Sequence, residues 1–189
     1  MNSLFRLQVI MILLISLCML LIASPATAGD PVRIVDGFVS RVSDGNNLTV
    51  VTKNREKLNV RMYGIDAPEL DKIHRKSKRI IKPGQPFGIE AKSLLSTMVF
   101  GQDVRLFVMD VDSHKRMISI IWARENNILT KNVNVEMLKA GMAEAYNEHL
   151  IDGQYRKLFL DAEQEANNKK IGVWSQGLLY ERPSVYRTK

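Results

Sequence analysis

Sulfur and imidazole are scarce in this sequence: one cysteine, Cys18, and three histidines, His74, His114 and His149, in 189 residues. A single cysteine excludes an internal disulfide framework, and with no His/Cys cluster there is nothing to hold structural zinc. Stability must therefore come from packing, in a chain long enough for one domain with a sizeable core. Internal repeats and low-complexity stretches are also missing, which excludes solenoid and fibrous architectures. Acidic charge is in deficit, 20 Asp and Glu against 27 Lys and Arg, for a formal net charge of +7. That excess favours encounter with polyanions through long-range steering, but on its own it identifies no partner.

The N-terminus reads as an export signal. Met1–Arg6 carries one positive charge, Leu7–Ala23 is nearly all apolar, and Ala26-Thr27-Ala28 supplies a small-x-small cleavage pattern. We expect a signal peptide over 1–28, a mature domain over 29–189, and a periplasmic or extracellular location. The alternative is an uncleaved membrane anchor, since the apolar run is near the lower length for spanning a bilayer. A lipid-anchoring role for Cys18 is disfavoured by the bulky Leu17 before it.

Strand signals come first along the mature chain and helix signals later. Val32–Ser40, Asn47–Thr52 and Leu58–Ile65 read as strands, the first two joined by the turn Ser43-Asp44-Gly45-Asn46. After Glu69 runs a long loop rich in basic residues, among them Arg75, Lys76, Lys78, Arg79 and Lys82. It reads either as a solvated segment or as a grip on a nucleic-acid backbone. Gly88–Val99 shows an apolar helical face of Ile89, Leu94, Leu95 and Met98. Asp103–Met109 and Met117–Trp122 are strands around a polar turn, followed by helices over Val133–Ala140 and Asp152–Lys169. Gly141 is positioned to cap the first of these, and "IGVWS" at 171–175 to dock an aromatic on the body. The expected fold is α+β: a five-stranded OB-type β-barrel with three α-helices.

The chemistry concentrates in "VRMYGIDAPEL", residues 60–70. Pro68 separates Asp66 from Glu69, so the two carboxylates leave the strand on a turn. Hard oxygens at a strand end suit Ca²⁺ or Mg²⁺, or a base beside a metal. Arg61, inside the strand, needs an anion: a phosphate, or a carboxylate in a plain Arg–Glu pair across the barrel. Arg116, after Asp110 and Asp112, is either a solvated hairpin residue or a second phosphate ligand. Two arginines, a carboxylate base and a metal carboxylate make the set that phosphodiester hydrolysis requires.

At this point the segment resembles the V-R-L-x-G-I-D-x-P-E signature of the staphylococcal-nuclease-like (thermonuclease) family. "PFGIEAK", "LKAGMAEAY" and "IGVWS" follow in that family's order, so the similarity spans about Val32 to Ser175. The resemblance implies Ca²⁺-dependent cleavage of DNA and RNA to 3′-phosphate ends. It implies catalytic roles for Arg61, Glu69 and Arg116, and metal binding by Asp66 and by the backbone carbonyl of Ala67. Three departures stand out. Asn46 replaces the usual second metal aspartate of a D-G-D turn, removing one negative charge but retaining an amide oxygen. His114 replaces a nucleotide-pocket tyrosine, and the loop after Glu69 is longer and more basic than usual. Tyr146 reads as either a base-stacking or a core residue, and Trp122 and Trp174 as packing.

The leading reading is thus a monomeric exported nuclease acting on DNA or RNA, with single strands favoured because an OB groove accepts splayed bases. One alternative is a single-stranded nucleic-acid-binding module whose metal site Asn46 has emptied. Another is an envelope-anchored interaction protein.

Overall fold

A computed structural model describes residues 30–146, 150 and 153–189. The expected signal segment over 1–28 lies outside the described residues, as do Cys18, His149 and Asp152. Among the described residues no helix is long and apolar enough to cross a membrane.

Alternating side chains decide the strands, since successive residues of a strand point to opposite faces. In β1 (Arg33–Val42) Val35, Val39 and Val42 face the core, and a bulge between Val39 and Arg41 resets the alternation so that Val42 turns inward. Leu48 and Val50 of β2 (Asn47–Thr52) and Leu58, Val60 and Met62 of β3 (Lys57–Met62) do the same. The expected third strand over 58–65 is interrupted at Gly64, whose φ of +66° turns the chain. A Cβ there would strike the Leu150 and Phe159 side chains. Beyond the turn, β4 (Ile65–Asp66) no longer follows β3.

The basic loop, for which the sequence shows no alternation, carries a small hairpin of β5 (Lys72–Ile73) and β6 (Ile80–Lys82). Helix α1 (Gly88–Val99) buries Ala91, Leu95 and Val99, with Leu94 and Met98 packed at the margin. Ile89, expected on that face, is 74% exposed because it lies off the stripe defined by 88, 91, 95 and 99. Strands β7 (Asp103–Val111) and β8 (Met117–Glu125) follow, then β9 (Ile128–Asn132), which the sequence reading lacked.

Helix α2 (Val133–Lys139) is capped by Asn132, whose side chain accepts the Val135 N–H. After it, Gly141 adopts φ +64° as a C-terminal cap, as expected. Strand β10 (Glu144–Ala145) pairs antiparallel with β4, Glu144 opposite Asp66. Helix α3 (Gln154–Asn168), a kinked 3₁₀ stretch (Gly172–Leu179) and a short α4 (Pro183–Thr188) complete the chain. In "IGVWS" it is Val173 that is fully buried, its N–H bonded to the Gly141 carbonyl; Trp174 is half-buried against Tyr180.

Antiparallel pairings run β3–β2–β1–β7–β8, and a parallel pairing of β3 with β8 closes the ring, with Arg61 opposite Ile118. Closure removes the free edges that an open sheet would expose. The architecture is the expected five-stranded OB-type barrel. Helices α1 to α3 cover it, and the fully buried Leu95, Met137, Leu138 and Phe159 join them to the barrel core. Asn134 of α2, itself fully buried, donates to the Tyr63 carbonyl and accepts the Ile121 N–H, satisfying backbone groups at the closing seam.

Candidate active site

The turn at Gly64 sends the chain from Arg61 back past itself, so that Asp66 lies behind the arginine five residues earlier. Asp66 is fully buried, and a carboxylate removed from water needs partners for both oxygens. Oδ1 accepts from Arg61 Nη2 at 2.9 Å, Asn46 Nδ2 at 3.2 Å and Arg187 Nη1 at 3.0 Å; Oδ2 accepts from Arg187 Nη2 at 2.7 Å. The carboxylate partner of Arg61 is therefore Asp66 and not a glutamate across the barrel.

Glu69 is fixed through its backbone. Its N–H donates to Gln85 Oε1 and its carbonyl accepts the Gln85 N–H, at 3.1 and 2.8 Å. Gly84 and Gly88 press against that carbonyl so closely that a Cβ on either would collide with it. This is the physical content of the "PGQPFG" run. The side chain stays accessible, and its Oε1 accepts from Arg187 Nη1 at 2.7 Å.

Arg116 begins just before β8 and is held by Asp112 across the β7–β8 turn. Its N–H and Nε bond the two Asp112 oxygens at 2.9 and 2.7 Å, and its Nη1 reaches Asn47 Oδ1 at 3.3 Å. Burial pushes the Asp112 carboxyl up, but the backbone N–H and guanidinium of Arg116 and the His114 N–H outweigh it and hold the group below its ordinary value.

A cleft of about 680 Å³ is lined by Arg61, Tyr63, Asp112, Arg116, Tyr146 and Arg187, among others. Beside it a second cleft, of about 460 Å³, is lined by Asp44, Glu69, Lys72, Lys82 and Arg187. Of the residues the sequence singled out, Arg61, Arg116 and Tyr146 thus share one cleft, and Glu69 faces its neighbour. Asn46 and Ala67 are buried behind them, whereas His114 is exposed on its turn and lines neither cleft.

Asn46 sits where Asp44 puts it, since Asp44 Oδ1 accepts the N–H groups of Asn46 and Asn47. Its Nδ2 faces Asp66 and the Ile65 carbonyl, while its Oδ1 accepts from Asn47. Among the described residues no group of three or more His, Cys, Asp or Glu is placed to hold a metal. An Asp66 oxygen and a Glu69 oxygen nevertheless converge on one cationic group, at the single nitrogen Arg187 Nη1. Hard, anionic oxygens of this kind suit Ca²⁺ in type.

Two charged residues beside the site carry no signal in the sequence. Arg187 lies 121 residues beyond Asp66, past the last landmark, and nothing in "SVYRTK" signals a site. Burial opposes its charge, but the bonds to Asp66 and Glu69 win and raise it above an ordinary guanidinium. Glu144 is the second: buried opposite Asp66, it accepts from Tyr180 Oη and Arg182 Nε at 2.8 and 3.0 Å. Burial raises its carboxyl above the usual value despite those donors.

Known proteins resemble this chain in sequence. An uncharacterized endonuclease of Haemophilus influenzae is 34% identical over 149 residues, covering 79% of this chain and 71% of the relative. Protein ParB of Escherichia coli is 34% identical over 164 residues, 85% and 81% of the two chains. The probable endonuclease lcl3 of the fungus Botryotinia fuckeliana is 34% identical over 139 residues, and the chain spans about half of that relative's length, 48%. The staphylococcal nuclease homologue family matches residues 59–176, from just before Arg61 to just beyond the "IGVWS" landmark. These similarities support a nuclease function, and the chain belongs to the staphylococcal nuclease homologue family.

Proposed function

We propose that the protein is an exported, Ca²⁺-dependent nuclease that hydrolyses phosphodiester bonds of DNA or RNA as a monomer and favours single strands. The observation that carries this reading is the convergence of Arg61 and Arg116 on one cleft, each braced by its own carboxylate, with Glu69 alongside. A braced guanidinium keeps its remaining N–H groups aimed outward, where two negatively charged phosphate oxygens would sit.

Attack of water on phosphorus builds charge on those oxygens as a fifth bond forms, and two preoriented arginines stabilise that charge most at this point. Glu69 orients the water or accepts its proton. The P–O5′ bond then breaks, the 5′ oxygen takes up a proton, and the phosphate stays on the 3′ side. Asp66, the Ala67 carbonyl and Asn46, once its amide turns to present Oδ1, would hold the cation. Bound there, Ca²⁺ would supply a fixed positive charge beside the phosphate. Tyr146 on the cleft wall offers a surface for a base to stack on.

The decisive experiment incubates the purified protein with single-stranded DNA, with Ca²⁺ or with chelator. Cleavage that needs the metal and drops by about 10²–10⁴-fold in Glu69→Gln is the expected result. A second reading, binding without cleavage, is favoured by the Arg187 bond to Glu69. Salt-sensitive binding with no cleavage at any Ca²⁺ concentration would establish it instead. Export is checked by mass spectrometry of the mature N-terminus, where a start at Gly29 is expected.

A further inference from the structure

Arg187 reaches the site from the last turn of a helix held down mainly by polar contacts. Pro183 is the only buried residue of α4. Lys82 Nζ donates to the Tyr186 carbonyl at 2.6 Å and lies 4.3 Å above the Tyr186 ring, whose hydroxyl bonds the Pro83 carbonyl. Upstream, Gln85 Nε2 donates to the Glu181 carbonyl at 2.7 Å. A segment that buries this little apolar surface detaches without opening the core. Its cargo is nonetheless specific, because the guanidinium takes both Asp66 oxygens and one Glu69 oxygen at once.

Charge at this corner is already neutral. Two carboxylates, Asp66 and Glu69, face two guanidinium groups, Arg61 and Arg187, while Asn46 contributes no charge. A divalent cation added to the same oxygens would lie against Arg187 at contact distance and be repelled. With Arg187 in place, Glu69 is also bonded to a cation when it should be receiving a water proton.

We propose that Arg187 and a divalent cation compete for the Asp66 carboxylate of the cation seat, so that docking of α4 holds the site closed and cation loading displaces it, freeing Glu69 as well. The seat then binds metal with an affinity set partly by how firmly Lys82 and Tyr186 hold α4. This inference rests on reading the Asp66 corner as the cation seat. It does not depend on whether the protein cleaves.

The test is calorimetric titration of Ca²⁺ into the purified protein without nucleic acid. Arg187→Gln, which removes the competing charge, is expected to bind ~10-fold more tightly or better. Tyr186→Ala, which leaves the seat intact but loosens α4, should fall between it and the parent. Hydrogen exchange should show amides of 184–189 exchanging faster once Ca²⁺ is added to the parent protein. Equal affinities in all three proteins, weaker binding by Arg187→Gln, or no binding in any of them would overturn the proposal. Equal affinities with metal-dependent cleavage intact would sink the competition and leave the nuclease reading standing. Tight Ca²⁺ binding by Arg187→Gln without cleavage would do the reverse.

Discussion

The molecule uses one aspartate between two arginines twice, at different depths of burial. At Asp36, Arg105 donates Nε and Nη2 at 2.7 and 2.8 Å, and Arg124 Nη1 lies at 2.9 Å. At Asp66 the partners are Arg61 and Arg187 at comparable distances. Yet the Asp36 side chain is 32% exposed and that of Asp66 is 0%. Asp36 and Arg105 face each other directly in the β1–β7 register, so the sheet makes the pair on its own. Asp66 needs a turn at Gly64 and a helix 121 residues away. A half-buried pair of this kind is a local convenience that salt still partly screens. A buried one constrains whatever closes over it, and here that includes the residues that would do the chemistry.

Exchanging charge at the two ends should pull function and support apart. Arg61→Gln is expected to lower cleavage by about 10²–10³-fold, the usual loss when one donor to a developing oxyanion is removed. Arg105→Gln should leave the rate unchanged. Equal losses in the two variants would break the contrast.

Stability is the next discriminator. The double variant Arg61→Met with Arg187→Gln leaves Asp66 buried with only Asn46 as a donor, and should lose about 3–5 kcal/mol on denaturant unfolding. Each single variant leaves one guanidinium in place, so the two losses should sum to less than the double.

The ends should also respond to pH with opposite slopes. Bonding to Arg105 outweighs burial and holds Asp36 below its ordinary value, 3.8, so its contribution is present above that pH and fades as pH falls through the lowered value. Glu144, beside Asp66, is raised above 4.5 by burial, so its contribution is full below 4.5 and fades as pH rises through the raised value. The parent should therefore lose stability relative to Glu144→Gln as pH climbs above 4.5, and relative to Asp36→Asn as it drops below 3.8. Unfolding curves across that range read both. Smallest of all, Asp36→Asn at neutral pH should cost about 0–1 kcal/mol and less at high salt.

The same contrast explains what could be read in advance. The barrel strands were legible because Leu48, Val50, Leu58, Val60, Val104 and Leu106 alternate, and the Arg61–Asp66–Glu69 spacing was legible because it is local. β5, β6 and β9 were not, because Ile73, Ile80 and Ile128 are exposed and show no inward pattern. Ile89 misled because an apolar residue beside a helical stripe looks like part of it. Arg187 could not be found at all: its role comes from where the C-terminal segment returns. That return depends on Gly141 and Gly172, whose backbones touch with no space for a side chain on either. A motif does not encode such a meeting.

The parallel seam between β3 and β8 has a consequence for how the protein breathes. Arg61 stands on one of its strands and Arg116 directly precedes the other, with the Tyr63 N–H bonded to the Ser119 carbonyl across the seam at 2.8 Å. Unzipping the ring there would carry the two arginines apart before any other strand pair is lost. The exchange lifetime of the Tyr63 amide proton is therefore a clock for the site itself, counting how often the pair of arginines dissolves and re-forms.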